Sequence, residues 1–208
     1  MSSHSIGVAF RRGSSQSLYD TMIMETTRGP FVHAEIFIQS GHDVRFYSAV
    51  NVGQGARPSA IVHAHRLLPL PPEWEVVQLP VGKQGYKIAY AMLLELVSTP
   101  VPYNLKDQWQ CACPLLLPYE DDLDSMSLSQ WPRMGVFCSQ LCLLVLRRLV
   151  VTGNLTLEPH ALIQVVSVNS RGCSPNALYR ILRSPTPKKK HETQRVGFLA
   201  SPRAIQKT

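Results

Sequence analysis

One cysteine and one histidine carry most of the chemistry this sequence offers. Cys138 stands in "GVFCSQL", residues 135–141, where an apolar run that reads as a helix begins. Unpaired backbone N–H groups at a helix N-terminus favour an anion, so a thiolate there is stabilised. A thiol nucleophile also needs a base. His33 lies within "FVHAEIFI", residues 31–38, a stretch rich in β-branched and aromatic residues that reads as a strand. An imidazole beside the thiol makes a thiolate–imidazolium pair. A third polar group must then hold the ring in its tautomer, and Ser48, Glu35 and Asn51 are the candidates. The backbone N–H of Cys138 offers one oxyanion donor. Such a thiol acyl-transfer site needs no metal and no organic cofactor.

Strand side chains alternate, so His33, Glu35 and Phe37 share one face and Val32, Ala34 and Ile36 the other. A His and a Glu two apart on an apolar strand fit either a solvent-open or internally satisfied sheet face, or a reactive site. Along one strand Glu35 lies about 6–7 Å from His33, far for a direct contact.

These residues need elements to hold them. "SIGVAFRR", 5–12, reads as a strand. Residues 14–27 read as a helix with a Ser cap and with Leu18, Met22 and Ile23 facing inward. "VRFYSAV", 44–50, follows the turn "SGHD" and forms a hairpin with 31–38. "NVGQGARPS" is a loop, and "EWEVVQLP", 73–80, is a further strand. Residues 82–100 form an amphipathic helix presenting Ile88, Ala91, Met92, Leu94 and Leu96. The segment 100–135, with five prolines and the acidic cluster "EDDLD", has the length of a functional or mobile loop. The Cys138 helix runs to about Val151. "ALIQVVS" fits a strand or a short helix, and "SPNALYRILRS", 174–184, is a helix with a Ser cap, an early Pro, and Leu178 and Ile181 in period.

Composition bounds the rest. The chain has 208 residues and 45% hydrophobic residues, enough for one folded domain with a tail: 1–183 as the domain and 184–208 as a basic, disordered tail. Six Lys/Arg against one Glu in 184–208 carry +5 of the formal +7, so contact with nucleic acid or an acidic surface is a property of that tail, not of the nearly neutral body. No apolar run is long enough for a transmembrane segment, and the N-terminus lacks a signal-peptide pattern. The expected location is therefore intracellular, cytoplasmic or nuclear, and not secreted. Five cysteines in such a chain argue against a disulfide framework. Cys111 and Cys113 with His63 and His65 invite a zinc reading, but C-x-C is not the usual knuckle spacing, and loop or core thiols fit better. Cys142, one turn after Cys138, is a packing thiol or a resolving one.

The order of "FVHAEIFI", "GVFCSQL" about a hundred residues later, and then "SPNALYRIL" resembles the circularly permuted branch of the NlpC-type papain-like superfamily, whose members occur in bacteria and large DNA viruses. The resemblance covers roughly residues 5–183. It implies an α+β fold, with an antiparallel sheet packed on the helix that carries the cysteine. It also implies His33 as general base and Cys138 as nucleophile. "PYNL", 102–105, looks like the family's Tyr-containing segment and would place Tyr103 and Asn104 at the substrate. Where the family often carries an acidic or other polar orienting residue, this chain has Ser48, a hydroxyl without a carboxylate's charge.

The expected activity is that of a cysteine hydrolase (amidase, peptidase or thioesterase) or an acyltransferase, acting on an amide, peptide or acyl-ester substrate through an acyl-enzyme. The alternative is a catalytically weak or inactive papain-like scaffold whose basic tail contacts nucleic acid, membrane or a protein partner.

Overall fold

The computed structural model describes residues 4–51, 60–65, 69–105, 108 and 135–183. The acidic cluster, Cys111, Cys113 and the basic tail lie outside the described residues. Strand β1 (His4–Arg12) leads into helix α1 (Leu18–Thr27). Then come β2 (Phe31–Ser40), β3 (Asp43–Ala49), β4 (Ile61–His65) and β5 (Trp74–Pro80). Four helices follow: α2 (Lys83–Ser98), α3 (Cys138–Val151), α4 (Pro159–Ser167) and α5 (Pro175–Arg183). The fold is α+β. Its five strands are ordered β4-β3-β2-β1-β5, every neighbouring pair antiparallel.

The two faces of β2 differ as alternation requires. Ala34, Ile36 and Ile38 face the main core, where Leu141, Val145 and Leu149 of α3 pack with Leu93 and Leu96 of α2. Phe37 on the opposite face joins a smaller cluster with Ala9, Val44 and Phe46. Helix α3 is apolar almost all round and is buried from Cys138 through Arg147, the pattern of a central rather than a surface helix. The exception on that run, Arg147, is turned to use. Its Nε donates to Val165 O at 2.8 Å and its Nη2 to Val168 O, so the guanidinium closes the carbonyl end of α4.

The elements depart from the sequence reading at several points. Leu18 is 86% exposed instead of inward. It is the first residue after the Ser17 cap, and α1 buries Asp20, Ile23 and Thr27. Helix α2 buries Gly85, Ala89, Met92, Leu93 and Leu96, leaving Ala91 and Leu94 exposed. The buried stripe is rotated from the one the apolar residue types trace. Strand β4 was not foreseen, and "ALIQVVS" is helical because Pro159 opens it at the first turn. The Ser174 cap, Leu178 and Ile181 of α5 stand as expected.

Candidate active site

Three devices bring the start of α3 to the middle of β2. Gly135 has φ +72, a backbone region that side chains disfavour, and a Cβ there would lie 2.7 Å from Pro102 O. The chain can therefore run close beside residues 102–104, bridged by Val136 N to Pro102 O at 3.1 Å and Asn104 N to Val136 O at 3.1 Å. Ser139 Oγ donates to Cys173 O at 2.7 Å, fixing the first turn of α3 from the other side. Asn176 of α5 then clamps the beginning of β2. Its Oδ1 accepts from Phe31 N at 2.9 Å, and its Nδ2 donates to Phe31 O at 2.8 Å and to Thr27 Oγ1 at 2.6 Å. Gly29 leaves room for that amide, since a Cβ there would meet Asn176 Oδ1 at 2.3 Å.

At the N-terminus of α3 the cap residue is Phe137, whose side chain offers no acceptor. Gln140 reaches back to accept the Phe137 N–H at 3.3 Å. No cap oxygen competes for the amides at the start of the helix, an omission that ordinarily costs about 1 kcal/mol. The sulfur takes that place. Backbone N–H groups of Ser139 and Ala34 both point to Cys138. The Ala34 amide is available because the β2–β3 ladder ends at Ile36↔Tyr47.

The imidazole of His33 is hydrogen-bonded to Cys138 and faces Glu35 as well. Its Nε2 lies 2.8 Å from Ser48 Oγ and 3.5 Å from Glu35 Oε1. The expectation that Glu35 is too far from His33 is corrected: the extended carboxylate side chain spans the separation that backbone spacing leaves. Continuing the β2–β3 register past Ile36↔Tyr47 sets Glu35 opposite Ser48, so the hairpin alone assembles the three groups. Trp74 meets the His33 ring edge-on, with centroids 6.3 Å apart.

The electrostatics follow from this geometry. Burial alone would push His33 down, but the charge of Cys138, a hydrogen bond to it, and the Glu35 carboxylate raise it to about 9. Burial alone would push Cys138 up. The adjacent imidazolium, its hydrogen bond, and the two backbone amides outweigh that and hold the thiol below its ordinary value. The other two described cysteines go the opposite way. Burial raises Cys142 well above the ordinary range and lifts Cys173 to about 12. Cys142 is fully buried, as a packing thiol is.

Cys138 itself is only 1% exposed. A cavity of about 10 Å³ touches it, walled by Val32, Gln108 and Phe137 among others. A larger cleft of about 310 Å³ opens beside His33 and is lined by Arg11, Tyr19, Asn51, Tyr103 and Gln108 with apolar neighbours. Val32 and Gln108 line both spaces. Tyr103 lines the cleft. Asn104 is not among its lining residues and instead links the backbone, to Val136 and to Gln108 N at 3.2 Å. Asn51 lines the cleft, while the direct partners of the His33 Nε2 atom are Ser48 and Glu35. Gln108 and the clamp by Asn176 were not read from the sequence. A lone Gln in a proline-rich stretch carries no signal, and an Asn after a helix-opening Pro looks like any first-turn polar residue.

Among the described residues no group of three His, Cys, Asp or Glu side chains is placed to hold a metal ion. No helix among them is long and apolar enough to cross a membrane. Comparison with protein-family models, curated proteins and solved structures finds no match to this chain.

Proposed function

We propose that the chain is a thiol-dependent acyl-transfer enzyme of the permuted papain-like type, with Cys138 as nucleophile and His33 as base. The observation that carries this reading is the thiol of Cys138 set against the imidazole of His33, whose Nε2 is met by Ser48 and Glu35. Helix-packed cysteines do not need such an arrangement, and Cys142 and Cys173 lack it.

In the proposed reaction the Cys138 thiolate attacks a carbonyl carbon. The developing oxyanion is received by the Cys138 backbone N–H. As the intermediate collapses, the imidazolium of His33 passes its proton to the leaving amine or alcohol, and a thioester remains on Cys138. His33, now neutral, takes a proton from water, an alcohol or an amine as that acceptor attacks the thioester, and the thiolate is regenerated. Water gives a hydrolase; the other acceptors give an acyltransferase. The fold supports both outcomes and does not choose between them.

A second reading is a scaffold or binding module with a basic tail, and the near-complete burial of Cys138 favours it. Iodoacetamide labelling, followed cysteine by cysteine by mass spectrometry, separates the two. The enzyme reading expects fast labelling of Cys138 near pH 6–7 that is lost in His33→Ala. A Cys138 that is inert, or indifferent to His33, moves the scaffold reading ahead.

A further inference from the structure

We infer that Arg11 reads an anionic oxyacid group on the acyl substrate, close to the carbonyl that Cys138 attacks; this rests on the acyl-transfer reading above. Arg11 and His33 are direct cross-strand partners in the β1–β2 ladder. Directly paired residues share a face with their Cβ atoms about 4.5–5.5 Å apart. Both line the same cleft of about 310 Å³. Among the described residues the rest of that wall carries no carboxylate: its polar members are Tyr19, Asn51, Tyr103 and Gln108.

Among the described residues two carboxylates stand nearby, and neither lines the cleft. Glu35 is 4% exposed and engages His33, and Asp20 is 5% exposed and sits behind Arg11. Asp20 holds the guanidinium by two long contacts, Nη1 to Oδ2 at 3.3 Å and Nη2 to Oδ1 at 3.5 Å, and its Oδ2 also accepts the Ser14 N–H at 3.0 Å. Charge-assisted pairs that bind with full strength are nearer 2.7–2.9 Å. A guanidinium has five N–H donors. Two go to Asp20, and among the described residues no acceptor takes the other three. Arg11 is thus oriented from behind by a buried carboxylate and presents its remaining donors beside the catalytic base. A carboxylate or phosphate carried a few bonds from the reacting carbon fits that position.

The test needs no known substrate. Three alkylating probes place different groups at the same distance from the reacting carbon: N-iodoacetylglycinamide (neutral), N-iodoacetylglycine (carboxylate) and N-iodoacetyl-aminomethylphosphonate (phosphonate). In each, the Sγ–C bond forms, the C–I bond breaks and iodide leaves. Rates at Cys138 are read by mass spectrometry on the full chain at pH 7. The inference expects an anionic probe to outpace the amide by about tenfold, the scale of a hydrogen bond to a charged group. Whichever anion leads identifies the carboxylate or the phosphate source. Arg11→Gln should slow the anionic probes more than the glycinamide and so abolish that preference, and Arg11→Lys should retain part of it. An anion preference that survives Arg11→Gln, no preference at all, or an equal fall of all three rates in Arg11→Gln overturns the inference and leaves the acyl-transfer reading standing. Inertness of Cys138 to all three probes below pH 8.5 overturns both.

Discussion

The hydroxyl of Ser48 meets Nε2 of His33 at 2.8 Å. The Glu35 carboxylate approaches the same nitrogen at 3.5 Å. The nearer partner is neutral and the farther one charged, so orientation and charge are divided between two residues. Ser48 fixes the ring plane, and Glu35 favours the imidazolium.

Substitution should separate these two roles. Ser48→Ala removes one hydrogen bond and is expected to slow Cys138 acylation several-fold with little change in the imidazole titration. Glu35→Gln removes the charge and should lower the His33 pKa from about 9, measurable by NMR of the ring carbons, with about a tenfold loss of rate at neutral pH. If Glu35→Gln leaves the titration unmoved, the carboxylate has no electrostatic role.

The pH profile follows from the two shifts. The Cys138 thiol lies below its ordinary value, so alkylation should set in well under pH 8.5. Turnover should fall again as His33 loses its proton through about pH 9, because the acid that serves the leaving group disappears. In His33→Ala only the two backbone amides are left to offset burial, and the onset of alkylation should move to higher pH. A single rise near pH 8.5 in both proteins would falsify the ion pair.

Gln108 lines both the cleft and the small cavity at Cys138, and its amide donates to the Tyr19 hydroxyl. Gln108→Ala should therefore raise the rate at which a bulky thiol reagent reaches Cys138, without shifting its pH onset. Cys142 and Cys173 should stay unlabelled in the same experiment, since both are buried with raised pKa values. An unchanged rate would mean that access runs by another route.

Asn176→Ala would strand the N–H and C=O of Phe31 in the interior. Leaving buried polar groups unsatisfied costs roughly 1–3 kcal/mol each, so a loss of about 3 kcal/mol is expected, or about 6–12 °C in melting temperature for a chain this size. Thermal unfolding followed by circular dichroism measures it. A shift under about 2 °C would show that the clamp is redundant.

The parts of this site that lie in local sequence were legible. Alternation put His33 and Glu35 on one face, and the turn "SGHD" announced the hairpin that carries Ser48 to them. The onset of the apolar run located Cys138 at the first residue of α3. What escaped depends on tertiary contact or on side-chain reach. Glu35 was a candidate whose direct contact with His33 backbone spacing alone made too distant, whereas its side chain reaches the ring. Strand β4 is short, and its histidines drew attention as ligands rather than as members of a strand "IVHAH" that pairs with β3. The inward face of α2 depends on where α3 lies, and Gly85 and Ala89 are small residues at the contact that a search for large apolar side chains passes over.

The end of the β2–β3 ladder at Ile36↔Tyr47 has a consequence for the thiol as a reporter. The hairpin gathers base, hydroxyl and carboxylate within about fifteen residues, whereas the sulfur arrives from about a hundred residues further along. Until α3 docks, Cys138 has neither the imidazole nor the Ala34 amide, and its acidity is that of any cysteine in an open chain. The acidic thiolate is thus a property of the finished tertiary structure. The fraction of chains with a fast-reacting Cys138 counts the molecules in which the thiol has met its base, so a pulse of thiol reagent during refolding would time that closure directly.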